Sequence, residues 1–402
     1  MIEVGSKERC FAMNDCRVLI VHNAYQNKGG EDSVVESEAG LLRSKGHAVE
    51  HFSRHNDEIR TMPRASLALQ TFWSRKSARD FEHIVNLFKP DVVHVHNTFP
   101  LISPSIYWLA HRAAIPVVQT LHNFRLLCPQ AMFLRQGKVC EDCLGHLPWR
   151  AVLHACYHDS TAQSAFVAGT LTMHRAIGTY QTKVSRFIAL NEFCRRKFVE
   201  GGFPAKRIVV KPNFVDFPAP VEGRRGGFLV VGRLSVDKGV SVLAAAVRQS
   251  VNAAVRVAGS GPESHQLEGV PGIEALGSIS GEAVRVEMSR AMTLLLPSIW
   301  YENFPRTLVE AFGCGLPVIA SRIGALADLV EEGVTGLFFE PGNAMDLAEK
   351  MQWAQEHPER MAIMGRNART LYEAEFTAER NYEQLVEIYR GAIEESRLDI
   401  RP

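Results

Sequence analysis

Residues 297–321 read PSIWYENFPRTLVEAFGCGLPVIAS, and this stretch decides the fold of the second half of the chain. It follows one short apolar run, residues 292–296, and ends in another, residues 317–320, and the length and composition of both are typical of buried strands. Pro305 marks the start of a helix between them, because proline is favoured in the first helical turn. A strand, a helix and a strand in this order predict two parallel strands joined by a crossover helix.

The same alternation of short apolar runs and helix-like segments continues through the whole chain, which predicts an α/β fold with parallel sheets. The expected strands are residues 17–22, 48–52, 91–94, 116–121, 186–190, 208–211, 228–231, 254–258, 273–276, 292–296, 317–320 and 336–339. Two doubly wound, Rossmann-like domains that face each other across a cleft are the simplest reading. Open sheets of this kind bind ligands at the carboxyl ends of their strands, so we expect the site in the cleft.

The expected domain borders follow from composition. Residues 213–227 combine proline, glycine and charge without an apolar period, which is typical of a linker. The first domain would then span residues 1–212, with an irregular insert at about 124–160, and the second would span 228–375. A helix in residues 376–402 is expected to pack back on the first domain.

The composition of the chain excludes several classes of function. The chain has 402 residues, with 45 lysines and arginines against 44 acids, so it lacks the basic field of a nucleic-acid binder and we expect no nucleic-acid partner. The first fifteen residues lack the apolar run of a secretory signal, and no stretch is apolar enough to span a bilayer. We therefore expect a cytoplasmic protein, at most peripheral on the inner face of the membrane.

Two glutamates stand in the stretch quoted above, Glu302 and Glu310, with seven residues between them. A carboxylate can accept hydrogen bonds from two neighbouring hydroxyl groups, as recognition of a sugar or ribose requires. For the spacing alone, two solvated glutamates at a helix start are the alternative. With EAFGCGLPVIA at 310–320, the pattern resembles the retaining family-four glycosyltransferases of GT-B fold, in particular a subgroup with a cysteine-bearing insert. The resemblance implies that Glu302 meets the donor sugar in catalysis and that Glu310 holds the nucleotide ribose.

Asn303, Phe304 and Pro305 lie between the glutamates and are expected on the donor side. The amino terminus of a helix that starts near Pro305 would favour a phosphate there. Many relatives have a smaller, glycine-bearing loop at this place, so the resemblance implies no particular donor sugar. Residues 323–328, IGALAD, also depart from the family, which often has two glycines and a glutamate there.

A second match lies at residues 230–240, VVGRLSVDKGV, where a strand ends in Gly-Arg and a lysine follows. It resembles the family's diphosphate clamp, which implies that Arg233 and Lys238 stabilise the charge of the leaving group. A salt-bridged surface turn is the alternative. Gly259, in a similar turn after the next strand, is expected near the nucleotide. The resemblance implies that catalysis requires no cofactor.

In the first domain, Gly29 and Gly30 follow the first strand and resemble the family's Gly-Gly loop, which approaches the donor. Glu31 and Asp32 are expected on the acceptor side. A tight connection between strand and helix is the alternative.

Three histidines stand at strand ends. His122 resembles the family's histidine that contacts the donor sugar near the reacting carbon. His94 and His96 share a face by alternation, and one of them can be a satisfied core residue. His96, nearer the loop, is expected at the acceptor side of the site.

The insert carries Cys128, Cys140, Cys143 and Cys156, spaced as C-x11-C-x2-C-x12-C. Thiolates in this number suit a structural zinc ion, while unpaired thiols or disulfides are the alternatives. The resemblance supports the insert but implies no metal.

The region Arg54–Arg79 mixes basic residues, among them Arg60, Arg64, Arg75, Lys76 and Arg79, with Phe72 and Trp73. Such a mixture can lie on an anionic membrane, or it can be an ordinary helix with a solvated face.

These features predict a retaining hexosyltransferase that moves a sugar from a nucleotide-diphosphate donor to a glycan or lipid-linked acceptor in surface polysaccharide synthesis. Two other functions remain open. One is a sugar-nucleotide epimerase of the same architecture, and the other is a non-catalytic sensor or scaffold that binds nucleotide sugars.

Overall fold

The computed structural model describes residues 15–26, 29–217, 223 and 225–398. The predicted lack of a secretory signal concerns residues of which all but Asp15 lie outside this range. No helix among the described residues is long and apolar enough to cross a membrane.

The first half forms a six-stranded sheet in the order β2-β1-β3-β4-β7-β8, in which all paired strands are parallel. A separate antiparallel hairpin, β5 and β6, lies between β4 and β7 in sequence. The strands are β1 Arg17–Ala24, β2 Ala48–His55, β3 Val92–Asn97, β4 Val117–Thr120, β5 Leu134–Arg135, β6 Lys138–Val139, β7 Arg186–Ala189 and β8 Ile208–Val210. The α-helices are α1 Gly30–Ser44, α2 Arg64–Phe72, α3 Arg75–Phe88, α4 Ser105–Arg112, α5 Trp149–Leu153, α6 Thr161–Ala176, α7 Thr179–Thr182 and α8 Glu192–Glu200.

The second half forms another parallel sheet of six strands, in the order β11-β10-β9-β12-β13-β14. Its strands are β9 Phe228–Val231, β10 Val255–Ala258, β11 Ile273–Gly277, β12 Thr293–Leu296, β13 Val318–Ser321 and β14 Gly336–Phe339. Its helices are α9 Val240–Gln249, α10 Gly281–Arg290, α11 Arg306–Gly313, α12 Gly324–Leu329, α13 Ala344–Glu356 and α14 Pro358–Glu375. The predicted α/β fold with two parallel sheets is confirmed.

The last helix, α15 Ala378–Leu398, returns to the first sheet. Its buried residues Leu385, Tyr389 and Ile393 share a hydrophobic cluster with Val18 and Ile20 of β1. The two halves are therefore joined both by the chain between β8 and β9 and by this helix.

The strand orders locate the binding crevice. In each sheet the chain first builds to one side and then to the other, so a gap opens between the loops at a switch point. This point lies between β1 and β3 in the first sheet and between β9 and β12 in the second. The loops that carry most of the predicted site residues follow these strands or the neighbouring β4.

Candidate active site

The loop after β9 is held against the loop after β12 by a close backbone contact. Gly239 has φ 70°, and a Cβ there would lie 1.8 Å from the carbonyl oxygen of Pro297, so only glycine fits. The preceding 3-10 turn, Val236–Lys238, consequently places Lys238 beside the loop that carries Glu302.

Lys238 and Glu302 form an ion pair, with 2.8 Å between Nζ and Oε1. The Ser298 hydroxyl donates a hydrogen bond to the same carboxylate, and Glu302 is only 6% exposed. Glu302, Ser298, Lys238 and Arg233 line one cavity at the β9/β12 switch point. The structure thus brings together three of the four predicted catalytic residues, with Ser298 as a partner that the sequence did not indicate.

Arg233 lies at the mouth of this cavity. Its Nη2 is 3.6 Å from the carboxylate of buried Asp237, while 65% of its side chain is exposed to solvent. The guanidinium is therefore anchored at one end and accessible to an anion at the other.

Gly259 supports the same loop. Its φ is 158°, and a Cβ there would lie 1.8 Å from the carbonyl oxygen of Gly232. This packing accounts for the glycine, and its expected contact with a nucleotide stays a prediction.

Glu310 lies on α11, one turn beyond its start. Burial raises the pKa of its carboxyl. The Arg306 guanidinium, whose Nε lies 3.0 Å from Glu310 Oε1, partly offsets this rise. Glu310 does not line the cavity of Glu302, although Thr307 of the same helix does.

The three residues that follow Glu302 have structural roles. Asn303 is buried, and its Nδ2 donates to the carbonyl of Leu121 at 2.6 Å, so only its unpartnered Oδ1 is left for a ligand among the described contacts. Phe304 packs on the second-half core and against Phe376. Pro305 caps α11, as its position predicted. These contacts account for the three side chains, and the contacts with the donor that we expect of them stay predictions.

The two acids that follow the loop after β1, Glu31 and Asp32, have different surroundings. Gly29 caps α1, and its N–H donates to Asp32 at 2.7 Å, while His22 Nε2 lies 2.8 Å from the other Asp32 oxygen. Burial opposes ionisation, but these hydrogen bonds hold the pKa of Asp32 below its usual range. Asp32 is consequently used to shape the loop rather than exposed to an acceptor. A Cβ on Gly30 would meet no protein atom within 4 Å, which leaves room for a ligand.

Glu31 has the opposite electrostatics. Burial raises its pKa to about 8, and the Tyr25 hydroxyl donates to its Oε2 at 3.0 Å. Its Oε1 has no hydrogen-bond partner among the described residues. At neutral pH Glu31 is a protonated acid that can donate a hydrogen bond.

The three histidines form a stack at the ends of β3 and β4. His94 is the satisfied core residue, because its two nitrogens lie 2.8 Å from Thr120 Oγ1 and 2.7 Å from Tyr389 Oη. His96 is also buried, and its Nδ1 lies 2.8 Å from Nε2 of His122. His96 thus contacts His122 and lines the same cavity, and its expected place at the acceptor side stays a prediction. His122 lines a cavity that also includes Arg125, whose guanidinium lies over the rings of Phe99 and Tyr157.

Sequence reasoning missed Tyr25, Arg125 and a buried ion pair behind the histidines. Lys211 Nζ lies 2.6 Å from Glu38 Oε1, and both side chains are at most 1% exposed. The one indication of this pair in the sequence was Glu38, a charged residue at helical spacing with the apolar residues that follow Gly30.

Burial raises the pKa of the Cys143 and Cys156 thiols, and the nearby Cys128 and Cys140 add to both shifts. The four cysteines of the insert therefore lie near one another, and none forms a disulfide. The one group of three close metal-ligand atoms found among the described residues is Glu38, His94 and His96, not the cysteines. A structural zinc ion at the four cysteines stays a prediction, which metal analysis of the purified protein tests.

Comparison with known families defines the class of the protein. Residues 29–213 match the glycosyl transferase 4-like domain, and residues 217–371 match the family described as glycosyl transferases group 1. Together with two Rossmann-like sheets, these matches place the chain among the GT-B glycosyltransferases. It belongs to the group 1 glycosyltransferases.

Individual relatives are distant. The chain is 24% identical to a sulfoquinovosyl transferase of Arabidopsis thaliana over 70% of this chain and 53% of that protein. It is 25% identical to a D-inositol 3-phosphate glycosyltransferase of Mycobacterium leprae, over 75% of this chain and 69% of that one. It spans about half the length of the first curated relatives that it matches.

Two solved structures share the fold. Sucrose-phosphate synthase of Thermosynechococcus elongatus superposes with a TM-score of 0.69 at 19% identity, covering 93% of this chain and 98% of that one. Anabaena HepE in complex with UDP superposes with a TM-score of 0.66 at 19% identity, covering 92% and 98%.

Proposed function

We propose that the protein is a retaining glycosyltransferase that moves a sugar from a nucleotide-diphosphate donor to a hydroxyl acceptor. The observation that carries this proposal is the bond from Asn303 Nδ2 to the Leu121 carbonyl. Glu302 precedes Asn303 and His122 follows Leu121, so this bond draws the two residues toward each other from opposite halves of the molecule. A carboxylate and an imidazole on two loops that are bonded to each other suit the recognition of sugar hydroxyls.

Arg233 and Lys238 supply positive charge for the leaving diphosphate. Charge develops on the diphosphate as the glycosidic bond breaks, and cations held in place stabilise that state more than the ground state. Anabaena HepE has been solved with UDP and with UDP-glucose, which supports a nucleotide sugar as the donor here. In front-face displacement the departing phosphate oxygen takes the acceptor proton, so no separate base is assigned and no cofactor is proposed.

A lipid-linked glycan is the acceptor class we propose, in the synthesis of a surface polysaccharide. Helices α2 and α5 both contact α6, and both expose large apolar side chains. Leu69 is 72% exposed on α2, and Trp149 and Leu153 are 55% and 68% exposed on α5. Exposed basic residues, among them Arg75 and Lys76, begin α3. This surface suits peripheral contact with an anionic inner leaflet.

Vesicle binding tests the membrane contact. Co-sedimentation with vesicles that contain anionic phospholipid should exceed that with neutral vesicles, and Trp149→Ser with Leu153→Ser should reduce it several-fold. Leu398→Ser, at an equally exposed leucine of α15, is the matched control and should bind like the unmodified protein. Equal binding by both variants would refute the membrane proposal.

The reaction is tested by supplying UDP-, GDP- and ADP-sugars without added metal and measuring release of the nucleoside diphosphate. One donor should release it slowly, and a lipid extract with a suitable acceptor should accelerate release. Glu302→Ala should abolish release, and Lys238→Ala should reduce it by about 10²- to 10³-fold, the usual effect of losing one transition-state charge contact.

Glu349→Ala and Lys206→Ala alter exposed residues and serve as matched controls. Release that survives in Glu302→Ala would refute the proposed site. A changed sugar configuration without an acceptor would indicate an epimerase, and binding without turnover in the presence of acceptor extract would indicate a sensor.

A further inference from the structure

A buried chain of polar groups runs from α1 to His122. Lys211 Nζ pairs with Glu38 Oε1 at 2.6 Å, and the other carboxylate oxygen, Oε2, faces His96 Nε2 at 3.7 Å. His96 Nδ1 then meets His122 Nε2 at 2.8 Å. The side chains of Glu38, Lys211 and His96 are at most 1% exposed, so water does not compete for these contacts.

The same groups do not form a metal site. Glu38, His94 and His96 offer three ligand atoms within 4.8 Å of one another. However, the Lys211 ammonium already supplies the cation at Glu38, and both nitrogens of His94 have hydrogen-bond partners. A divalent ion would have to displace these contacts and lie beside a buried ammonium group.

The protonation of each ring follows from the groups around it. Glu38 Oε2 and His96 Nε2 have no hydrogen-bond partner among the described residues, and at 3.7 Å the carboxylate favours a proton on the His96 nitrogen that faces it, because a lone pair there would be repelled. Burial and the neighbouring Lys211 and histidines hold the pKa of His96 and His122 well below 6.5, and both rings are therefore neutral. A neutral His96 with a proton on Nε2 accepts through Nδ1, so His122 must donate through its own Nε2.

We propose that Glu38, paired with Lys211, acts through His96 to hold His122 as the Nε2–H tautomer. The lone pair on Nδ1 of His122 then remains for a hydroxyl group of the sugar substrate. Glu38 and Lys211 are positioning residues, because they act through His96 and do not line the cavity, whereas His96 lines the same cavity as His122 and acts on it by direct contact. The role of the lone pair in transfer rests on the proposed function, whereas the tautomer itself does not.

Ring-nitrogen NMR of histidine-labelled protein tests the tautomer directly, with His122→Gln to identify the His122 signals. Nε2 should show a protonated and Nδ1 an unprotonated nitrogen. The double variant Glu38→Gln with Lys211→Met removes both buried charges together, and it should give mixed tautomers at His122. A protonated Nδ1 in the unmodified protein, or an unchanged tautomer in a folded double variant, would overturn the proposal.

Two variants at His96 provide a test that does not require the buried pair to be altered. Asn at this position can place Oδ1 where the Nδ1 acceptor was, whereas Leu cannot. His96→Leu should lower kcat by about 10- to 100-fold with little change in the donor KM, and His96→Asn should recover most of it. Equal loss in both variants would refute the positioning role. Lack of transfer by the unmodified protein would refute the proposed function and leave the NMR result standing.

Discussion

Neighbouring residues of one motif can have opposite chemistry, as Glu31 and Asp32 show. The sequence predicts both as acids near an acceptor. In the structure Asp32 accepts from His22 and from the Gly29 N–H and is stabilised as an anion, whereas buried Glu31 has a pKa of about 8. The difference depends on how far each carboxyl is buried and on how many donors reach it. Neither quantity can be read from the order of residues.

Glu31 makes stability depend on pH. Its carboxyl stays protonated in the folded chain up to about pH 8, whereas an unfolded chain ionises it near 4.5. Stability from this group is therefore full below pH 4.5 and is lost as pH rises toward 8. Glu31→Gln removes the dependence, so its Tm advantage over the unmodified protein should be small at pH 5 and reach several degrees at pH 8. Thermal melts across this range measure it, and Glu349→Gln should show no such trend.

At the scale of elements, the regular sheets were predictable and the irregular parts were not. Most of the main strands follow from apolar runs bounded by turn residues, because a buried parallel strand must be apolar on both faces. The edge strands β2 and β11 are largely exposed and contain charged residues. The hairpin of β5 and β6 has two residues in each strand and therefore no periodicity. The pairing of Lys211 was not predictable either, since this residue, just after β8, is buried against Glu38, 173 positions away, and no local pattern reports that distance.

Helix α15 should contribute strongly to the stability of the first half, although it follows the second half in sequence. Leu385 is fully buried between this helix and the first sheet, whereas Leu398 on the same helix is 65% exposed. Leu385→Ala should lower the free energy of unfolding by about 2–5 kcal/mol, the usual cost of a cavity in a core. Leu398→Ala should change it by less than about 0.5 kcal/mol. Denaturant titration compares the two, and equal effects would show that α15 does not hold the first half.

At the scale of the whole molecule, the site depends on contacts between the halves. The sequence identifies Glu302 and His122 as candidates, but it does not indicate the hydrogen bonds that join the two halves beside them. The Asn303 side chain donates to the carbonyl of Leu121, and the Asn191 side chain donates to the carbonyl of Asn303. Helices α8 and α12 also meet, where Arg196 pairs with Asp328 at 2.8 Å. Such pairings join residues more than 100 positions apart, so they become visible only when both sheets are in place.

Tyr301, beside Glu302, offers a test of whether these contacts set the geometry of the site. Its ring packs edge to face on Phe193 of the first half, with 4.7 Å between centroids. Such a pair is worth about 0.5–1.5 kcal/mol beyond the area that it buries. Tyr301→Ala should therefore loosen the Glu302 loop and lower the rate of nucleotide release by about tenfold or more. Tyr301→Phe keeps the ring and its edge-to-face contact with Phe193, so its rate should stay within about threefold of that of the unmodified protein. Initial rates at saturating donor measure both variants, with thermal melts to confirm folding. If the alanine variant is folded and fully active, the position of Glu302 is set within the second half alone, by Lys238 and Ser298.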